Sequence, residues 1–111
     1  MNTVIIRSID RIEITKAVQA YAGWLRKEFP EINRLIWFGS WVHGYLNPGS
    51  DIDLCLIVAA SNTLMRDRIS PYLPVGFPVG IDLCVYTLNE FEELGDVAPG
   101  WKREMLKGIE L

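Results

Sequence analysis

GSWVHGYLNPGSDIDL, residues 39–54, joins a glycine-serine turn to a pair of aspartates, and the rest of the chain is read outward from it. Just upstream, Leu35-Ile36-Trp37-Phe38 is short, apolar and rich in β-formers, which predicts a buried strand feeding a tight turn at Gly39-Ser40. Within the stretch, three glycines, a proline and an asparagine mark a loop, although Ser40 to His43 can wind into a short helical turn. Gly44 would allow a positive φ where that turn leaves the loop. Downstream, residues 51–58 read DIDLCLIV. Successive strand residues alternate in direction, so Asp51, Asp53, Cys55 and Ile57 point one way and Ile52, Leu54, Leu56 and Val58 the other. Both faces are apolar beyond the aspartates, which predicts a central strand covered on both sides.

On the N-terminal side, Val18, Tyr21, Ala22, Leu25 and Phe29 fall on one face of a helix running from about Ile14 to Phe29, and Pro30 stops it. On the C-terminal side, Ser61 and Asn62 can cap a helix carrying Leu64, Met65, Arg68 and Ile69 as far as Pro71. The turn-rich PYLPVGFPVG follows. A strand from Ile81 to Tyr86 then puts Asp82, Cys84 and Tyr86 on one face, and Thr87 to Glu90 has the spacing of a capping box that opens another helix. A last helix around Trp101 to Lys107 should close at Gly108 as its C′ residue.

With 111 residues the chain has the size of one domain, taken as 1–111, which buries roughly 60 to 70% of its extended surface without needing disulfides. Its net charge of −3 and lack of a basic run argue against direct nucleic-acid binding. No apolar stretch approaches the ~20 residues of a membrane span, and MNTVIIRSID lacks the layout of a secretory signal, so a cytoplasmic location is expected. Cys55 and Cys84 sit in apolar runs, out of any zinc spacing, and read as buried free thiols.

Asp51 and Asp53, two apart on a strand, hold like charges on one face. That is costly unless a proton or a cation intervenes. An all-oxygen donor set suits a hard ion such as Mg²⁺, which takes one or two carboxylates together with phosphates and water. Asp82 begins a strand whose GIDLCVY copies DIDLCLIV; were the two strands neighbours in register, the three aspartates would converge. Two ions roughly 3.5 to 4 Å apart would then have room, the arrangement of an in-line phosphoryl displacement. Gly39-Ser40, a strand ending in a helical turn, offers backbone N–H groups and a hydroxyl to phosphate oxygens.

The string from Gly39 to Leu54, with a further carboxylate in a following strand, resembles the signature of the nucleotidyltransferase superfamily with the DNA-polymerase-β-like palm, and most of all its minimal, antitoxin-type branch. The resemblance implies an α+β (α/β-like) fold with a small mixed sheet flanked by helices. It implies that Gly39 and Ser40 hold a nucleoside triphosphate, that Asp51 and Asp53 ligate Mg²⁺, and that Asp82, the third metal-side carboxylate, helps activate an acceptor hydroxyl. The implied reaction transfers a nucleoside monophosphate, AMP foremost, to that hydroxyl and releases pyrophosphate. Members of the branch often pair with a small helical protein of the HEPN type, and some adenylylate it. The chain departs from the pattern where many relatives read like GSRARG: Trp41 and His43 stand there, so a phosphate-binding cation is missing. Lys102 or Arg103 could replace it, or else belong to a solvated face of the last helix.

Other side chains have two readings. His43 is a general base or simply solvated; Trp41 stacks on a base or packs beside the turn, exposed or half-buried; Trp24 and Trp37 belong to the core; Trp101 is a docking residue; Tyr86 packs on a helix. The alternative to an enzyme is a catalytically weak binding module that neutralises a helical partner by contact, and a weaker one is a metal-dependent phosphohydrolase. At this length no separate substrate domain is expected, so the acceptor would be recognised through a partner or a second copy, as homodimer or hetero-oligomer.

Overall fold

The computed structural model describes residues 11–44 and 51–111. Helix α1, Arg11–Glu28, leads into strand β1, Ile32–Phe38; β2 follows at Ile52–Val58 and β3 at Ile81–Thr87; α2, Leu88–Val97, α3, Pro99–Leu106, and a short β4, Ile109–Glu110, complete the order. The four strands form one mixed sheet in the order β3-β2-β1-β4. β1 is antiparallel to both β2 and β4, whereas β2 and β3 run parallel. The parallel pair needs a long crossover, supplied by residues 59–80.

β2 is central, and its expected two-sided burial holds: Leu54, Cys55, Leu56 and Ile57 are all fully buried. One face meets Ile14, Val18, Tyr21, Ala22 and Leu25 of α1. The other, carrying Cys55, Ile57, Ile36, Phe38 and Tyr86, meets Phe91 of α2 and Met105 of α3. Helices thus flank both sides of a small mixed sheet, the α+β arrangement expected from the sequence. Among the described residues no helix is long and apolar enough to cross a membrane.

Three expectations need correction. The helix expected after Asn62 is replaced by two 3₁₀ turns, Met65–Asp67 and Ser70–Tyr72. Leu64 and Met65 are exposed, so no apolar face exists to hold a helix down. Arg68 instead turns inward, donating to the Thr63 and Val85 carbonyls and, through both Nη atoms, to the Glu90 carboxylate. Gly108 follows the C-cap Lys107 and so stands at C′ as expected; its φ is not positive, and a Cβ there would strike the Trp37 carbonyl, so the glycine also serves close approach of β4 to β1. Trp24 is 41% exposed rather than core, whereas Trp41 is buried. The capping box stands as expected, with Thr87 Oγ1 accepting from the Glu90 N–H and Glu90 accepting from the Thr87 N–H.

Candidate active site

The repeated IDLC segments lie side by side. Asp53 pairs with Asp82 in the parallel register, Cys55 with Cys84, and Ile57 with Tyr86. Neighbouring strands are about 4.8 Å apart, so the Asp53 and Asp82 side chains leave the same face of adjacent backbones. Asp51 stands immediately before β2, opposite Gly80, whose carbonyl accepts from the Ile52 N–H at 2.9 Å. A Cβ on Gly80 would overlap the Asp51 carboxylate. The copy of DIDLC in β3 therefore reads GIDLC for a reason: glycine leaves room for the carboxylate of the neighbouring strand. Gly80 is a site residue that sequence reasoning passed over, and that substitution within the repeat was its signal.

Asp53 is half-buried while Asp51 and Asp82 are exposed. Burial first, then the charges of Asp82 and Asp51, push the Asp53 carboxyl above the ordinary aspartate range. The structure thus brings Asp53 and Asp82 together, with Asp51 in electrostatic reach. Among the described residues no three carboxylate, imidazole or thiol side chains stand close enough to hold a metal ion by themselves. The donor set still fits a hard cation. All donors are oxygens, Asp82 and Asp51 both oppose the charge on Asp53, and Mg²⁺ takes only one or two carboxylates when phosphates and water supply the rest.

Gly39 ends β1 at a φ of 88°, and a Cβ there would overlap the Asp53 carboxylate, so the turn lies directly against that side chain. Ser40 is exposed and residues 41–44 make a turn closed by the Gly44 N–H on the Trp41 carbonyl at 3.3 Å. Gly44 has the expected positive φ, 83°. His43 is exposed. Residues 45–50, including Ser50, lie outside the described residues.

Trp41 does not face the loop's exterior. It is buried against Trp37, with ring centroids 6.1 Å apart. The guanidinium of Arg11, at the start of α1, lies 5.4 Å above the Trp41 ring and donates to the Trp41 carbonyl at 3.5 Å. A cation therefore stands one residue from Ser40, although the loop itself contains no arginine or lysine. Of the two basic residues named in its place, Lys102 is held over the Phe91 ring at 5.0 Å and Arg103 is exposed on α3. On the carboxylate side of the sheet, Trp101 meets Phe38 edge-on and donates to the Tyr86 hydroxyl at 3.0 Å. Cys55 is buried and Cys84 half-buried, both as free thiols.

A glycine-serine turn abutting carboxylates on two parallel strands is the layout of a nucleotidyl-transfer palm. Residues 7–96 match the family model described as the central palm domain of mitochondrial-like poly(A) RNA polymerase. The chain belongs to that family. The matched span holds the turn and both carboxylate strands and ends in α2, leaving α3 and β4 beyond it. A candidate nucleotidyltransferase from Sulfolobus solfataricus has a similar solved structure, with a TM-score of 0.59 over 75% of each chain at 22% identity; at that identity the likeness shows a shared fold. No curated protein matches the chain. This palm is of the minimal nucleotidyltransferase type, and neither likeness singles out the antitoxin-type branch.

Proposed function

We propose that this palm is a Mg²⁺-dependent nucleotidyltransferase that moves a nucleoside monophosphate, AMP foremost, from a nucleoside triphosphate to a hydroxyl. The observation that carries the reading is the register pairing of Asp53 with Asp82 beside Gly39. Gly39 and Ser40 hold the triphosphate through backbone N–H groups and the serine hydroxyl. Asp51, Asp53 and Asp82 would hold Mg²⁺, which when bound neutralises phosphate charge. Asp82, the exposed member of the register pair, accepts the proton of the incoming hydroxyl as its oxygen bonds to the α-phosphorus and the bond to pyrophosphate breaks. Arg11 contributes positive charge at the turn. The acceptor hydroxyl belongs to a separate molecule, with a HEPN-type helical protein as the first candidate.

The test is incubation with labelled triphosphates, Mg²⁺ and the protein encoded next door, followed by mass spectrometry of both chains. Transfer of one nucleotide mass, lost in Asp53→Asn, supports the reading; no thermal stabilisation by any triphosphate with Mg²⁺ sinks it. One observation favours a second reading, a module that neutralises a helical partner by contact: Trp41 is spent on packing rather than presented to a ligand. Neutralisation that survives Asp53→Asn would favour that module. Release of inorganic phosphate instead of pyrophosphate would mark a phosphohydrolase.

A further inference from the structure

Asp82, Asp53 and Phe38 form a row across β3, β2 and β1, because Asp53 pairs with Asp82 on one side and with Phe38 on the other. Their side chains share the sheet face that α2 and α3 cover. Facing side chains of an antiparallel pair start about 5 Å apart, so the Phe38 ring begins directly beside the Asp53 carboxyl. Trp101 of α3 docks onto this row. Its ring lies 5.4 Å from that of Phe38 at 87°, and its Nε1–H donates at 3.0 Å to the Tyr86 hydroxyl, on the same strand face as Asp82.

Two anchors thus fix the indole against Phe38, the cross-strand neighbour of Asp53, and its one polar atom is satisfied within the protein. Trp101 nevertheless remains 43% exposed. A large apolar ring held rigid, with its donor already used and its surface left open beside a charged site, is suited to a flat aromatic partner. We infer that Trp101 is the stacking platform for the nucleobase of the triphosphate, purines above pyrimidines because their larger ring system covers more of the indole.

The inference rests on the nucleotidyl-transfer reading: phosphates held at Gly39-Ser40 and the carboxylates leave the base to extend sideways along the sheet face toward Trp101, the exposed ring seated on buried Phe38. Stacking of this kind discriminates by ring area and ignores the sugar-phosphate charge, so it adds affinity for nucleotides over bare polyphosphate. Trp101 stands on α3, beyond the span matched by the palm family model.

The experiment compares calorimetric binding of Mg²⁺-ATP and of Mg²⁺-tripolyphosphate to the full chain and to Trp101→Leu and Trp101→Phe. The expected result is that the native chain prefers ATP by roughly tenfold or more, that Trp101→Leu erases the preference while keeping tripolyphosphate affinity, and that Trp101→Phe keeps part of it. A native chain that binds tripolyphosphate as tightly as ATP overturns this inference while leaving nucleotidyl transfer standing; a native chain that binds neither overturns both. Since Trp101→Leu removes packing on Phe38, photo-crosslinking of 8-azido-ATP to the native chain supplies a second readout. Label on the peptide bearing Trp101 supports the platform, and label confined to other peptides refutes it.

Discussion

Gly39 lies so close to Asp53 that a single methyl group on the glycine would occupy the position of the carboxylate. The turn that is to hold phosphate and the side chain that is to hold the cation are therefore one packed unit. Gly39→Ala should suffer twice, from an alanine forced to a positive φ and from displacement of Asp53. The backbone part alone costs about 1–2 kcal/mol. In a domain of this size that corresponds to a melting temperature lower by roughly 5–10 °C, together with loss of Mg²⁺-triphosphate binding.

Gly80→Ala separates these two effects. Gly80 has no positive φ, and the atoms its Cβ would meet are the carboxylate end of exposed Asp51, which can rotate away. Stability should change by less than about 0.5 kcal/mol. Mg²⁺-triphosphate affinity should fall because Asp51 is turned out of its place; thermal melts with and without Mg²⁺-ATP read both quantities. An unchanged ligand-induced shift would remove Asp51 from the site.

Burial and two like neighbours, Asp82 and Asp51, disfavour the charged form of Asp53. Asn has nearly the same shape and no charge. Asp53→Asn should therefore raise the melting temperature by a few degrees when no divalent ion is present, and should abolish the further rise that Mg²⁺-ATP gives the native chain. A variant that melts lower without ligand would show that the carboxylate is stabilised in the apo protein after all.

Much of this was legible in the chain because the repeated IDLC at 52–55 and 81–84 encodes both the pairing of β2 with β3 and the meeting of Asp53 with Asp82. The capping box at Thr87 was equally legible, since it is closed by residues three apart. What stayed hidden depends on distant partners. β4 is two residues long and owes its place to Gly108 nestling under Trp37 and to a bidentate Arg34–Glu110 bridge with contacts of 2.7 and 2.8 Å. The segment after Asn62 has helical spacing, but Arg68 is drawn to Val85 and Glu90 and the local pattern yields. Arg11 reaches the loop from thirty residues away, so no spacing around Gly39 reveals it.

The Arg68–Glu90 clamp should govern acid stability. Arg68 is buried, its hydrogen bonds hold the Glu90 carboxyl down at about 2, and Glu90 also closes the cap of α2. A folded-state value depressed below the ordinary value of 4.5 means that the native state binds the proton less well than the unfolded chain does. The clamp's contribution is therefore complete above pH 4.5 and is lost as pH falls toward 2. Glu90→Gln should lower stability at neutral pH by about 1–2 kcal/mol, a figure held down by the partial exposure of Glu90, and flatten this part of the acid transition. Denaturant titrations at several pH values between 2 and 7 would show it; a Gln variant with the native acid profile would rule the clamp out as its cause.

Arg11 should matter to phosphate rather than to fold. Its guanidinium rests on the Trp41 ring and makes one long hydrogen bond to the Trp41 carbonyl, and among the described residues it has no carboxylate partner, whereas Arg34 and Arg68 are both paired. A tetra-anionic triphosphate beside three aspartates needs positive charge from the protein as well as from Mg²⁺, and electrostatic attraction of this kind is screened by salt. Arg11→Gln keeps a polar end but removes the charge. It should weaken Mg²⁺-ATP binding roughly tenfold, consistent with a charge-assisted contact worth about 1.5 kcal/mol, leave adenosine binding unchanged, and reduce the salt dependence of ATP affinity. Arg11→Lys should recover part of the loss. If Arg11→Gln instead lowers the melting temperature and weakens ATP and adenosine alike, the guanidinium serves only to brace Trp41, and the triphosphate finds its counter-charge elsewhere.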